Sequence, residues 1–241
     1  MSAEDEHETD EPSALEQQYR AQLPQILRAA GDDLEAALAA LDRYLEQAPP
    51  RRLKKSLLTW KGLFYSEHGR YDDAVRELRA ADEVQGAGEL AHFNTKIDLA
   101  RALEKGGDPR EAYAVLTAAL DEIEAPDLLV NLLLALVQVA SGTGQALPPR
   151  AEATLSRVTQ HYGIDEPTGA DLAAEAVRVA ELVRGASVRF TSLQDALQRA
   201  ETPAERVALV EEYLEGVTVP RFKKLAEDIL HRLRPSTANE E

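Results

Sequence analysis

A small residue followed four positions later by leucine recurs three times along this chain. The three alanines of this pattern lie 37 and 38 residues apart, and a third core residue follows each leucine after three more positions. The three sets are Ala37, Leu41 and Tyr44; Ala74, Leu78 and Ala81; and Ala112, Leu116 and Ala119. Because the spacing i, i+4, i+7 places residues in one stripe on a helix, the pattern predicts similar helices that approach their neighbours closely.

The segment before each of the last two stripes carries a related signal. Gly62 and Ala100 are both small, lie 38 residues apart, and are followed three positions later by Tyr65 and Leu103. A glycine inside a helix costs about 1 kcal/mol relative to alanine. We therefore expect Gly62 to be required by a close helix contact.

Helical start and stop signals extend over the whole chain, whereas no Asn-Gly or Asp-Gly hairpin turn occurs. Ser13 with Glu16, and Thr202 with Glu205, form capping-box patterns. Pro24 either kinks the first helix or delays its start. The fold class is therefore all-α. The predicted helices are 13–30, 33–47, 51–68, 71–84, 88–105, 108–124, 127–141, 148–162, 168–185, 191–200, 203–215 and 219–233.

These helix pairs resemble the tetratricopeptide repeat (TPR) family, in which a helix–turn–helix unit repeats with small residues at fixed contacts. The residues of 57–84 that match the family pattern are Leu58, Gly62, Tyr65, Gly69, Tyr71, Ala74, Leu78 and Ala81. Residues 97–120 and 31–49 match it less completely, and a fourth pair is degenerate. The resemblance covers residues 13–162 and implies a TPR-like solenoid of antiparallel helix pairs. An unrelated helical bundle is the alternative.

The repeat does not continue after Gly163, which defines the predicted domains. Residues 1–12 are expected to be a disordered acidic tail, residues 13–162 the TPR-like repeats, and residues 235–241 a second disordered tail. Residues 163–234 contain additional helices with stripes of their own, such as Leu193 with Leu197 and Leu209 with Tyr213. This C-terminal region either caps the repeats or forms an interaction region.

Charge and hydropathy exclude several classes of partner. The chain has 27 Lys and Arg residues against 43 Asp and Glu residues, a net charge of -16, which argues against nucleic acid and anionic lipid. The longest apolar stretch, residues 128–140, is shorter than the about 20 residues that span a bilayer, so we predict a buried helix and no membrane insertion. No secretory signal pattern occurs at the start, and the expected location is cytoplasmic.

The sequence offers no arrangement that predicts catalysis. It contains no cysteine, and no two of its five histidines lie three or four residues apart, as a helical metal pair requires. Nucleophile-elbow, phosphate-loop and calcium-loop motifs are also missing. We therefore predict a protein that is not an enzyme and that has no metal or cofactor.

The TPR resemblance implies that the first helix of each pair lines a concave groove for a peptide or partner helix. The partner-binding residues expected from this resemblance are Lys55, at the groove edge, and Thr59, Trp60, Leu63, Asn94, Asp98 and Arg101. The carboxylate clamp of the chaperone-binding subset is absent, because its places hold Thr59, Leu63 and Asp98. Trp60 suits an interface anchor and equally suits packing between helices.

One dense basic run precedes this groove: Arg51, Arg52, Lys54 and Lys55. It is either a solvated helix start or a positive patch that faces an acidic peptide or the acidic tail of this chain. The predicted function is a protein–protein interaction adaptor that binds a protein or peptide. The alternatives are an obligate subunit that docks through the helices of 168–233 and, from another class, a helical enzyme or small-ligand sensor. The partner and the oligomeric state stay open.

Overall fold

A computed structural model describes residues 13–165 and 171–234, and this part of the chain is helical without any strand. Its eleven helices are α1 (Ala14–Asp32), α2 (Leu34–Leu45), α3 (Arg51–Glu67), α4 (Tyr71–Asp82), α5 (Glu89–Lys105), α6 (Pro109–Glu122), α7 (Pro126–Thr143), α8 (Pro149–Tyr162), α9 (Leu172–Arg199), α10 (Pro203–Gly216) and α11 (Pro220–Leu233). The all-α prediction is confirmed. The predicted tails, 1–12 and 235–241, lie outside the described residues.

One predicted break is wrong. The helices expected at 168–185 and 191–200 form a single helix, α9, which runs through Gly185. A Cβ atom at Gly185 would meet no other atom within 4 Å, so this glycine neither makes a close contact nor adopts a turn conformation. A single glycine costs only about 1 kcal/mol in a helix, which the hydrogen bonds of the flanking turns exceed.

Both predicted capping boxes are present. The Ser13 hydroxyl accepts a hydrogen bond from the Glu16 amide at 3.2 Å, and the Glu16 carboxylate accepts one from the Ser13 amide at 2.8 Å. Thr202 and Glu205 make the same reciprocal pair at the start of α10. Pro24 lies inside α1, so the helix starts before it instead of after it.

The described residues fall into two compact units, divided between Ala119 and Leu120. In the first unit, α1 packs on α2, α2 on α3, α3 on α4 and α4 on α5, and α3 also contacts α5. The predicted end of the sequence repeats near residue 162 stays a prediction.

The stripes that define the sequence repeat form the core of the first unit. All nine stripe residues are buried, and six of the nine are alanines or leucines of the small-residue–leucine pairs, each with no exposed area. A Cβ atom added to Gly62 would lie 2.4 Å from Leu78 Cγ. The expected reason for Gly62 is thus confirmed: α3 approaches α4 so closely that no side chain fits.

The second unit contains α7, the most apolar helix. It has 18 residues and, by length and composition alone, could cross a membrane. In the fold it packs against α8 and α9, and eight of its residues are buried, among them Leu129, Leu132 and Leu136. The predicted buried helix is therefore present, longer than expected.

A separate apolar cluster joins the C-terminal half of α9 with α10 and α11. Only Leu193, Val210 and Ala226 are buried in it. The apolar residues that surround them are only partly buried; they are Phe190, Leu197, Leu209, Tyr213, Leu214, Ile229, Leu230 and Leu233. The stripes predicted on these helices thus meet in one cluster with a small interior.

Candidate functional site

Two helices of the first unit, α3 and α5, lie side by side. The hydroxyl oxygens of Thr59 and Thr95 are 3.2 Å apart. Each hydroxyl is also within hydrogen-bond distance of a backbone carbonyl one turn earlier, Lys55 O at 2.9 Å and Ala91 O at 2.8 Å. Each hydroxyl carries a single hydrogen, so only a hydroxyl that does not donate to its own carbonyl can donate across the α3–α5 contact.

The predicted site residues lie on these two helices, and all of them except Lys55 are half-buried or exposed. Thr59, Trp60 and Leu63 of α3 are half-buried. On α5, Asn94 and Arg101 are exposed and Asp98 is half-buried, and their i, i+4, i+7 spacing puts these three residues in one stripe.

Lys55 lies in the interior instead of at the edge of the predicted groove. It is only 2% exposed, and its ammonium group donates a hydrogen bond to the Val84 carbonyl at 3.2 Å. Lys55 follows Arg51 by one helical turn, yet its side chain turns toward the segment between α4 and α5. Its long stem and its hydrogen bond therefore contribute to packing and not to a binding surface.

Asp98 is the most perturbed acid on this surface. Its side chain is 13% exposed, while its ion-pair partner Arg101, at 3.4 Å, is 66% exposed. Burial raises the pKa of Asp98 above its ordinary value, and the Arg101 guanidinium opposes that shift. The stripe therefore carries a carboxylate that is largely withdrawn from water and only weakly neutralised.

Trp60 has one side on the core and one side open. Its ring lies 5.7 Å, centroid to centroid, from that of Phe64, at an angle of 42°. Phe64 is 2% exposed, whereas Trp60 is half-buried. Trp60 therefore packs on the core through Phe64 and also keeps part of its ring exposed to solvent. Both roles that the sequence left open, packing and interface anchor, are compatible with this position.

Three polar residues that hold these helices in place were not predicted from the sequence. Lys61 pairs with Asp42 at 2.8 Å and Glu77 at 3.5 Å, and Lys96 pairs with Asp82 at 3.0 Å. Burial lowers the pKa of Lys61, but its carboxylate partners raise it more. Thr95, the partner of Thr59, was also missed, although its separation of 36 residues from Thr59 is close to the repeat period.

In residues 13–165 and 171–234 no group of three or more His, Asp and Glu side chains could hold a metal ion. His92 Nδ1 lies 3.5 Å from Asp82, a carboxylate that Lys96 also contacts at 3.0 Å. Elsewhere, burial lowers the pKa of His161, whose Nε2 is 3.6 Å from Asp127.

A second surface lies between α9 and α10. A cleft of about 310 Å³ is lined by Leu193, Ala196, Leu209, Tyr213 and Val217 together with the polar residues Arg189, Ser192 and Glu212 and the backbone of Gly216. Within the described residues, the buried Tyr213 hydroxyl has no hydrogen-bond partner, and burial raises its pKa. Val188, on the same helix as Leu193, is 61% exposed.

No protein-family model, curated protein or solved structure shows a significant match to this chain.

Proposed function

We propose that the first unit is a TPR-like array that acts as a non-enzymatic adaptor in the cytoplasm. Its α3 and α5 face binds a peptide or a helix of another protein, without a metal or cofactor. The observation that supports the proposal is the Thr59–Thr95 contact between α3 and α5, the contact expected if the two helices are neighbouring first helices of such an array. The period of the buried stripes supports the TPR-like register.

The side chains of this face combine apolar area with polar groups. Trp60 and Leu63 offer half-buried apolar surface, and Asn94 offers an amide that both donates and accepts hydrogen bonds. Asp98 and Arg101 add one charge of each sign. Such a surface suits an extended peptide or an amphipathic helix, with apolar anchors for affinity and polar groups for orientation. Lys55 is not part of the proposed contact set because it is buried.

Photo-crosslinking from single positions tests this proposal. A benzoylphenylalanine would be placed at Asn94, on the proposed face, and at Arg110, an exposed position on α6 that serves as the control. We expect one protein to be crosslinked from position 94 and not from position 110. The affinity of that purified protein would then be measured by calorimetry.

Substitutions in the face should weaken the measured affinity. We expect Leu63→Ala with Arg101→Glu to reduce it at least about tenfold, which corresponds to about 1.4 kcal/mol. Arg110→Glu is the matched control for the charge reversal and should leave the affinity unchanged. Equal crosslinking from both positions, or an affinity that neither face substitution changes, would contradict the proposal.

The α9–α11 cluster supports a second candidate function, docking of the chain as a subunit of a larger complex. Eight partly buried apolar residues surround only three buried ones, and the cleft beside Tyr213 contains an unpaired hydroxyl in the described part of the chain. A partner that covered this cluster would bury the remaining apolar area. Crosslinks from position 188 to another protein, with none from position 94, would favour this function over the first.

A further inference from the structure

The first turn of α3 presents three cations that have no anionic partner. Arg51, Arg52 and Lys54 are exposed, and in the part of the chain that the structure describes none of them is within 4 Å of a carboxylate oxygen. We call these three residues the α3 cationic patch. Other arginines of the same unit are paired: Arg70 with Asp73, and Arg79 with Glu111.

The stability of α3 does not account for the patch. Cations near a helix N-terminus oppose the helix dipole by about 0.3–1 kcal/mol each. The N-cap, Pro50, makes no side-chain hydrogen bond to the first turn, and that turn contains no acid to offset the cations. The arrangement becomes favourable when an external anion lies beside it.

The start of α1 lies at the same end of the unit as the patch. The ring of Tyr44, near the end of α2, is 5.5 Å from that of Tyr19, and its hydroxyl donates to Gln22 at 2.8 Å. Because α2 packs antiparallel on both α1 and α3, the N-termini of α1 and α3 lie at the same end of the unit.

The segment that precedes α1 has the complementary charge. Residues 1–12, which lie outside the described residues, contain six acids and no Lys or Arg: Glu4, Asp5, Glu6, Glu8, Asp10 and Glu11. Twelve residues can span up to about 40 Å, several times the separation of neighbouring helices. We propose that the α3 cationic patch is a binding surface for acidic peptides and that its resident occupant is residues 1–12 of this chain.

This contact does not depend on the proposed role of the α3 and α5 face. Because the segment is tethered next to the patch, its effective concentration is in the millimolar range. An acidic partner must therefore displace it. The contact is electrostatic and exposed, so it weakens with salt, as the Debye length falls from about 10 Å at 0.1 M to about 3 Å at 1 M.

Paramagnetic relaxation enhancement measured on the full-length chain tests the proposal. Since the chain has no cysteine, a nitroxide on Ser2→Cys attaches at that position alone. We expect the amide signals of residues 51–54 to be broadened, with an enhancement that falls at least about threefold in 1 M salt because charges are screened. The Arg51→Glu, Arg52→Glu, Lys54→Glu variant should lose the broadening at low salt. Lys105→Glu with Arg110→Glu, at exposed positions elsewhere in the unit, is the matched control and should keep it.

The salt and charge dependence separates binding from mere tethering. Broadening that is the same in the wild type and in the patch variant, or that is unchanged by salt, would overturn the proposal. Trp60 fluorescence checks that the patch variant is folded. A second variant, in which Gln and Asn replace the six acids of residues 1–12, leaves all described residues unchanged. Retained broadening in that variant would also overturn the proposal.

Discussion

The contact of α3 with α4 and the cluster of α9, α10 and α11 are both built from Ala- and Leu-rich helices, but they pack differently. Because Gly62 has no side chain, α3 approaches α4 so closely that the Gly62 backbone packs directly against Leu78. Leu78 is fully buried. In the C-terminal cluster three residues are buried and eight apolar side chains stay partly exposed. The close approach at Gly62 thus encloses a large neighbour, whereas most apolar side chains of the C-terminal cluster still reach solvent.

The two regions therefore use apolar area differently. A fully buried leucine contributes about 1.5–3 kcal/mol to folding relative to an exposed one. Partly buried side chains contribute less and keep area that a partner can still cover. The α3–α4 contact is therefore expected to contribute more to stability per residue than the C-terminal cluster, whose apolar side chains stay partly exposed.

Truncation of one leucine in each region should give the largest difference in the free energy of unfolding between the two regions. Leu78→Ala should lower the free energy of unfolding by about 2–5 kcal/mol, because a fully enclosed site cannot collapse around the cavity. Leu209→Ala, in the C-terminal cluster, should cost about 1 kcal/mol because its side chain is only partly buried.

Urea unfolding followed by two probes measures both effects. Trp60, the only tryptophan, reports on the first unit, and far-UV circular dichroism reports on all helices. The probes are compared because a chain of two units need not unfold in one step. Similar losses for the two variants would remove the packing difference on which the comparison rests.

Replacing each of two helical glycines by alanine should give the next largest changes in stability, and the two changes should have opposite signs. Gly62→Ala should destabilise by about 1–3 kcal/mol, because its Cβ would lie 2.4 Å from Leu78 Cγ and overpacking exceeds the gain in helix propensity. Gly185→Ala should stabilise by about 1 kcal/mol, because no atom lies within 4 Å of the added Cβ. Thermal unfolding of the two variants measures both signs.

A double mutant identifies the cause. In the Leu78→Ala background, the added methyl of Gly62→Ala has room, so its cost should largely disappear. If Gly62→Ala is stabilising in the wild type, or if its cost persists without Leu78, the close approach is not what requires glycine.

The sequence was most informative where a contact depends on neighbours along one helix. The period of Ala37, Ala74 and Ala112 predicted the buried stripes, and both capping boxes could be identified from their own residues. The break predicted between residues 185 and 191 is wrong, because a lone glycine such as Gly185 has the same sequence signal at the end of a helix and inside a long one.

The candidate site was less predictable because it depends on contacts between helices. Lys55 and Lys54 are both basic residues of the same turn, but only Lys55 finds a carbonyl acceptor, Val84 O, inside the fold. The proximity of Thr59 and Thr95 likewise requires the spacing of α3 and α5, which the periodicity of one helix does not contain.

Alkaline titration compares a buried phenol of the first unit with one of the C-terminal cluster. Burial raises the pKa of Tyr19 to about 12 and raises that of Tyr213 as well. For a phenol with a raised pKa, the contribution to stability is present below pH 10 and is lost as the pH rises toward 12, since the unfolded chain ionises first. The loss for Tyr19 is on the order of 2 kcal/mol.

Tyr19→Phe should therefore flatten the decline in stability between pH 10 and pH 12, and Tyr213→Phe should flatten it less. Guanidinium unfolding at closely spaced pH values measures the slope. A larger effect from Tyr213 would mean that the C-terminal cluster is the better-buried region, contrary to the comparison.

Substitution of Asp98 has the smallest expected effect on stability, and it tests stability and binding with the same variant. Because burial raises its pKa, its contribution to stability is present at low pH, where the unfolded carboxyl is also protonated, and is lost as the pH rises through the folded value. At pH 7 the charged Asp98 thus destabilises the fold, and Asp98→Asn should raise the melting temperature slightly. The same variant should bind the crosslinked partner less tightly if the carboxylate faces that partner.

Asp73→Asn is the control: the Arg70 and Arg76 guanidinium groups hold the pKa of Asp73 below its ordinary value, so this variant should lose stability instead. Asp98→Asn with lower stability and unchanged affinity would show that Asp98 serves the fold, and the binding surface would then have to be sought on the α9–α11 cluster.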